Sequence, residues 1–174
     1  MQQLPAMSLA AAPGRRREMI EIAQEAERRG VPGLYAPSLG DSLSLCTAIA
    51  AVTNEISLGT SVTPIYTRNV ADFAATAAFI HEISNGRFSF GIGVSHAAAM
   101  RPIGVTQGKP LSDIRRFVEE LRAVPKVGEM PPIVLAALRD RMVALGEEVA
   151  DGVVFANAAR SHMPNSLRVL SDRA

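Results

Sequence analysis

One feature constrains this chain more than any other: short apolar runs alternate with longer stretches of helical period, six times over. The runs fall at 4–10, 33–37, 56–63, 87–93, 133–137 and 151–156, and the third is rich in the β-branched residues that suit a pleated surface. Between them, 15–29 places Met19, Ile20, Ala23 and Ala26 on one face, and Gly30 supplies a left-handed cap. A second helix is predicted over 41–52. A third runs from a cap at Asn69 to Ile83, closed by Asn85-Gly86. Ile114, Phe117, Val118 and Leu121 sit at helical spacing behind Pro110, and 139–149 is helical as well. The stretch 161–170 reads as a last helix with Pro164 in its first turn. Strict alternation implies a parallel α/β sheet, because parallel neighbours need crossover connections. The candidates are a doubly wound open sheet and a TIM-type (β/α) barrel. A complete barrel takes about 250 residues, so 174 residues hold about six of its eight strand–helix units in one domain.

Composition narrows the class. With 48% hydrophobic residues the chain can bury a core. Eighteen basic against seventeen acidic residues leave a net charge of +1, which argues against a nucleic-acid partner. The single Cys46 excludes an internal disulfide framework and a cysteine-built zinc cluster, and no metal site is expected. No apolar run reaches the length of a membrane span, and Arg15, Arg16 and Arg17 follow the first apolar stretch instead of preceding it, unlike a secretory leader. A cytoplasmic protein is the expectation.

Two stretches carry candidate chemistry. Gly91-Ile92-Gly93-Val94-Ser95-His96 follows the fourth strand and resembles half of a dinucleotide fingerprint. The third glycine is replaced by His96, and Pro102, Gly104 and Gly108 argue against a following helix, which rejects a Rossmann site. Tight packing at a strand end and close approach of a planar ligand both remain open. In Leu58–Asn69 a strand ends in small hydroxyl residues and Pro64, on the side where α/β folds place their active sites.

Leu58–Asn69, the run Ile83-Ser84-Asn85-Gly86-Arg87-Phe88 leading into Gly91–His96, and Ala150-Asp151-Gly152-Val153 together resemble the bacterial luciferase-like monooxygenase family. They look most similar to its actinobacterial branch that uses the deazaflavin coenzyme F420. The resemblance covers roughly residues 18–160. It implies a TIM-type barrel whose flavin or deazaflavin ring, F420 or else FMN, lies over the C-terminal ends of the strands. It further implies a non-proline cis peptide near Ser61-Val62 behind the ring, with Thr63 beside the pyrimidine edge. Gly91, Gly93, Val94, Ser95 and His96 would line the fourth-strand side. Ala136, Ala137 and Leu138 would lead into a helix N-terminus that holds the cofactor phosphate.

Departures from the family pattern qualify the expectation. Where the second strand often ends in an acidic residue, Ser38 stands in and Asp41 is displaced. The insertion before the fifth strand shrinks to 124–131, and strands seven and eight have no counterpart. His96 is the candidate acid or base, since histidine is the side chain whose ordinary charge change falls nearest neutrality; a loop-bonded structural histidine is the alternative. His81 and His162 read as structural or solvated, and Arg139 and Arg141 as phosphate ligands or exposed helix residues. The expected function is oxidation or reduction of a small organic substrate, by hydride transfer with F420 or monooxygenation with FMN. The competing reading is a shortened, catalytically silent barrel fragment or partner subunit. Open edges at the first and sixth strands predict a homo-oligomer with contacts at Met7, Leu9, Val153 and Phe155.

Overall fold

Alternation along each strand decides which side of the sheet meets the helices. In the computed structural model, which describes residues 4–155, 159–161 and 163–170, six main strands run parallel in the order β1 (Met7–Ser8), β2 (Gly33–Ala36), β3 (Ser57–Thr60), β5 (Phe88–Gly93), β6 (Ile133–Ala137) and β7 (Gly152–Phe155). A two-residue piece, β4 (Thr63–Pro64), pairs with β5. The helices are α1 (Arg16–Arg28), α2 (Ser42–Val52), α3 (Val70–Ile83), α4 (Ala97–Met100), α5 (Pro110–Ala123), α6 (Asp140–Val149) and α7 (Met163–Leu167). Leu34, Leu58, Phe88, Phe90, Ile92, Ile133 and Leu135 are buried on the helix side. Phe73 of α3 and Phe117 of α5 join Phe90 in an aromatic cluster, with ring centroids 5.8 and 5.5 Å from Phe73. The architecture is the incomplete (β/α) barrel expected from the sequence.

Several boundaries differ from expectation for physical reasons. The first strand shrinks to Met7–Ser8, two residues that pair with Leu34 and Tyr35. The expected third strand is broken into β3 and β4. A one-turn helix, α4, follows Ser95 where none was expected, and a single 3-10 turn, Arg101–Ile103, absorbs Pro102 in its first turn, where a missing N–H costs nothing. Pro164 lies in the first turn of α7, as predicted. Asn69 caps α3 through the Asp72 amide at 2.8 Å, and Gly30 follows α1 at φ 72°. His162 and the end of the predicted sixth strand, Ala156, lie outside the described residues.

The break in the third strand is a bulge. From the pair Gly59–Ser89 to the pair Thr63–Ile92, the chain takes four residue steps on one side and three on the other. The extra residue falls around the cis peptide bond Ser61-Val62, which lies where the family resemblance put it. The bulge leans hard on β5: a Cβ at Gly91 would lie 1.8 Å from the Thr60 carbonyl oxygen. Thr60 Oγ1 also donates to the Gly91 carbonyl at 2.6 Å.

The opposite end of the sheet is stitched by charge. Arg87 donates to the Ser84, Ile56 and Thr53 carbonyls at 2.8, 2.7 and 2.8 Å, tying the ends of α2 and α3 to the start of β3. Glu27 Oε1 accepts the N–H groups of Asn54, Glu55 and Ile56 at 2.8, 2.7 and 3.0 Å. Asp151, from the third family motif, accepts the Ile133 N–H at 2.8 Å and so locks β6 to β7.

Two outcomes follow. Burial alone would raise the Glu27 pKa, but the amides of Ile56, Glu55 and Asn54 and the Arg87 charge outweigh it and hold the carboxyl below its usual range. Glu27→Gln should therefore destabilise the protein near neutrality. The gap should close as pH falls through the depressed folded-state value, because only the ionised form is favoured by folding. Urea unfolding at about pH 7 and about pH 3 checks this, and an equal gap at both would refute it. Gly91→Ala should cost about 3 kcal/mol through overpacking. Gly152→Ala, whose nearest atom is Val134 Cγ2 at 3.8 Å, should cost less than about 1 kcal/mol in the same assay.

Candidate functional site

Since the main strands are parallel, their C-terminal ends share one side of the sheet, and the loops leaving them assemble there. Register brings them together: Ala36 pairs with Thr60, Pro64 with Gly93, and Ile92 with Leu135. Val62 is half-buried at the centre. Its methyl groups lie 3.3 and 3.0 Å from the positions that Cβ atoms on Gly91 and Gly93 would take, and the Ala136 methyl lies 3.3 Å from the latter. Val62 and Ala136, both half-buried, thus close over the buried Gly93 as a patch of small apolar groups. The glycines at 91 and 93 are explained by the bulge packed against them, the tight-packing reading left open by the sequence.

The other sequence candidates distribute around this surface. Ser38, Ser61 and Leu138 are exposed, and Val94 and Ser95 are half-buried. Thr63 is 5% exposed and faces away from the surface, with its hydroxyl 2.9 Å from Ser42 Oγ at the start of α2. Ala137 is buried on the helix side of β6 with Leu135 and Ile133. His96 is exposed and begins α4 as its N-cap, with no side-chain capping bond. His81, by contrast, is buried in α3 with Nδ1 3.3 Å from the Phe88 carbonyl oxygen, a structural role.

Asp41 is held charged at the edge of this surface. Asp41 caps α2, accepting from the Ser44 hydroxyl at 2.6 Å and the Ser44 N–H at 3.2 Å. It also takes a bidentate bond from Arg68, 2.9 Å to each oxygen. Burial works against its charge, but these donors hold its carboxyl below the ordinary aspartate range. An acid that stays ionised is no proton donor near neutrality. α6 opens with Arg139 as N-cap and Asp140 in its first turn, so charges of both signs meet any anion there. Arg141 lines a cleft of about 470 Å³ between α5 and α6.

Three contacts near this surface have no signature in the sequence. Ser42 fixes Thr63, as described. Tyr66 Oη donates to Asp113 Oδ2 at 2.9 Å, and burial together with that carboxylate pushes the phenol pKa up, so it remains a donor. Gln107 Nε2 donates to the Val94 and Ser95 carbonyls, 3.3 Å to the latter. Each joins segments distant in sequence, and no local spacing announces it. Among the described residues no helix is long and apolar enough to cross a membrane, and no cluster of His, Cys, Asp and Glu could hold a metal.

Known proteins share this arrangement of strands. The chain is 32% identical to the 5,10-methylenetetrahydromethanopterin reductase of Methanolobus tindarius, over 79% of this chain and 49% of that protein, so it spans about half the length of that relative. It superposes on an F420-dependent secondary alcohol dehydrogenase in complex with an F420–acetone adduct, with a TM-score of 0.84 and 15% identity over 97% of this chain and 64% of the other. It also superposes on the oxygenating constituent of 3,6-diketocamphane monooxygenase from Pseudomonas putida, in complex with FMN. There the TM-score is 0.76 and the identity 13%, over 99% of this chain and 65% of the other. The sequence profile of the luciferase-like monooxygenases matches residues 2–124, and the chain belongs to that family.

Proposed function

We propose that the protein is a deazaflavin- or flavin-dependent oxidoreductase acting on a small organic substrate, with coenzyme F420 favoured over FMN. The observation that carries this reading is the Val62–Gly93–Ala136 surface. Only small apolar groups stand there, Val62 and Ala136 packed over the buried Gly93, and a planar ring would lie across them without meeting a large side chain. F420 is favoured because an F420-dependent dehydrogenase shares the fold, and the relative that is 32% identical is a 5,10-methylenetetrahydromethanopterin reductase; the FMN-bound monooxygenase supports the alternative. When bound, the reduced deazaflavin supplies a hydride, whereas a reduced flavin also reacts with oxygen.

This chain's own residues would bind and orient. Val62 and Ala136 back the ring, Gly93 lets them pack together beneath it, and Ser61, Val94 and Ser95 border it. The exposed Ser38 and Leu138 flank the opening, and the amides following Ala137 are the candidate phosphate contacts. Thr63 and Gly91 act from beneath, by fixing the bulge. His96 holds or receives the proton that accompanies hydride transfer. A cytoplasmic setting and a homo-oligomer joined through the edges at β1 and β7 complete the reading.

The test is a titration with F420 and with FMN, followed by fluorescence and absorbance. Binding of F420 at least about tenfold tighter than FMN is expected. His96→Gln should keep cofactor affinity while slowing turnover about 100-fold or more, the usual size of a general acid–base contribution. Binding of neither cofactor to the folded protein would overturn the assignment in favour of a catalytically silent barrel.

A further inference from the structure

We propose that Gln107 is a positioning residue for the strand-end site: its side-chain amide fixes the Val94–Ser95 turn and thereby the place of His96. The proposal rests on the cofactor-site reading above and adds a residue outside it. Ser95 has φ 59°, in the left-handed region that a residue with a Cβ adopts only when its surroundings hold it. Such a turn aims two successive carbonyls, Val94 O and Ser95 O, away from the ladder of β5. Both are met by one group, since the Gln107 amide nitrogen carries two hydrogens and donates to both.

What the turn controls is the next residue. His96 is extended, at φ −101° and ψ 139°, and its carbonyl accepts from Ala99 and Met100 at 2.9 and 3.2 Å. Its backbone is therefore pinned on the α4 side, while on the β5 side its direction depends on Ser95. The imidazole makes no capping bond, so the backbone on either side sets where it stands.

Gln107 can serve as a fixed anchor because its own segment is fastened from behind. A Cβ at Gly108 would lie 2.6 Å from Asp113 Oδ2, so Asp113, 8% exposed, sits directly against the loop. Asp113 is in turn bonded to Tyr66 just beyond β4, at 2.9 Å. Val105 N–H donates to the Met100 carbonyl at 3.2 Å. The loop from 104 to 109 is thus tied to the strand that carries the bulge and to α4, and Gln107 reaches from it to the end of β5.

The contact requires a donor, which makes it separable from shape. Gln107→Met keeps the length and removes the donor; Gln107→Glu keeps the shape and turns an acceptor towards two carbonyls; Gln107→Lys keeps a donor. Amide hydrogen exchange without cofactor, cofactor titration with F420 and FMN, and the NMR signal of the His96 ring are the three readouts. The expected result is that Q107M and Q107E speed exchange at Ala99 and Met100 and leave Phe88–Ile92 unchanged. They should also shift the His96 ring signal and weaken cofactor binding about tenfold, with Q107K close to wild type in all three. Unchanged exchange in Q107M and Q107E would overturn the proposal, as would altered exchange with wild-type cofactor affinity, or failure of Q107K to behave as wild type. If the wild-type protein binds neither cofactor, the functional reading falls by itself, and exchange with the His96 signal decides whether Gln107 sets the turn.

Discussion

The arrangement of this molecule depends on one close approach, the Thr60 carbonyl against Gly91. A side chain of any size on β5 at that point would hold the third strand away, and the one-residue excess between Gly59 and Thr63 would have nowhere to fold. With a glycine there, the extra residue is pressed over β5, Val62 turns onto Gly93, and β4 resumes pairing one step late. The Thr60 hydroxyl seals the contact by donating back to the Gly91 carbonyl. A local mismatch of lengths between two strands thus creates the apolar patch on which the functional reading stands.

Around that patch, polar groups divide by end of the sheet. At the N-terminal ends, Arg87, Glu27 and Asp151 satisfy backbone groups of neighbouring elements, work that holds the strands in place. At the C-terminal ends the charged pair Asp41–Arg68 joins the loop after β2 to the loop after β4, and so steadies the rim. Parallel strands enforce this division, because every strand exposes its loop to the site at the same end.

How much of this was legible in the sequence follows the range of each signal. Apolar alternation within a strand, the Asn69 cap and the Gly30 stop act over one to four residues, and they were readable. The family motifs located the cis peptide near Ser61-Val62 because the whole of Leu58–Asn69 carried the resemblance. By contrast, the glycines of Gly91-Ile92-Gly93 admitted two readings until Thr60, thirty-one residues away, was seen against the first of them. Thr63 looked like a ring contact, yet its pairing with Ile92 turns it to the helix side, where Ser42 meets it. Pro102 was read as an obstacle to a following helix, and α4 stops at Met100 after a single turn, the proline falling in a separate 3-10 turn. Gln107 had no pattern to betray it, since its meaning lies wholly in which carbonyls it reaches.

Cys46 has a practical consequence. Its Sγ donates to the Gly59 carbonyl at 3.3 Å beneath the bulged strand, and burial, with a smaller push from Asp41, raises its thiol to about 12. With no other cysteine in the chain, the native protein carries no thiolate that an alkylating reagent could find. A probe thiol placed by Leu39→Cys or Leu138→Cys, at side chains 67% and 44% exposed on the rim, would be modified alone. Fluorophores or spin labels could then report distances across the opening without first stripping the interior of its own sulfur.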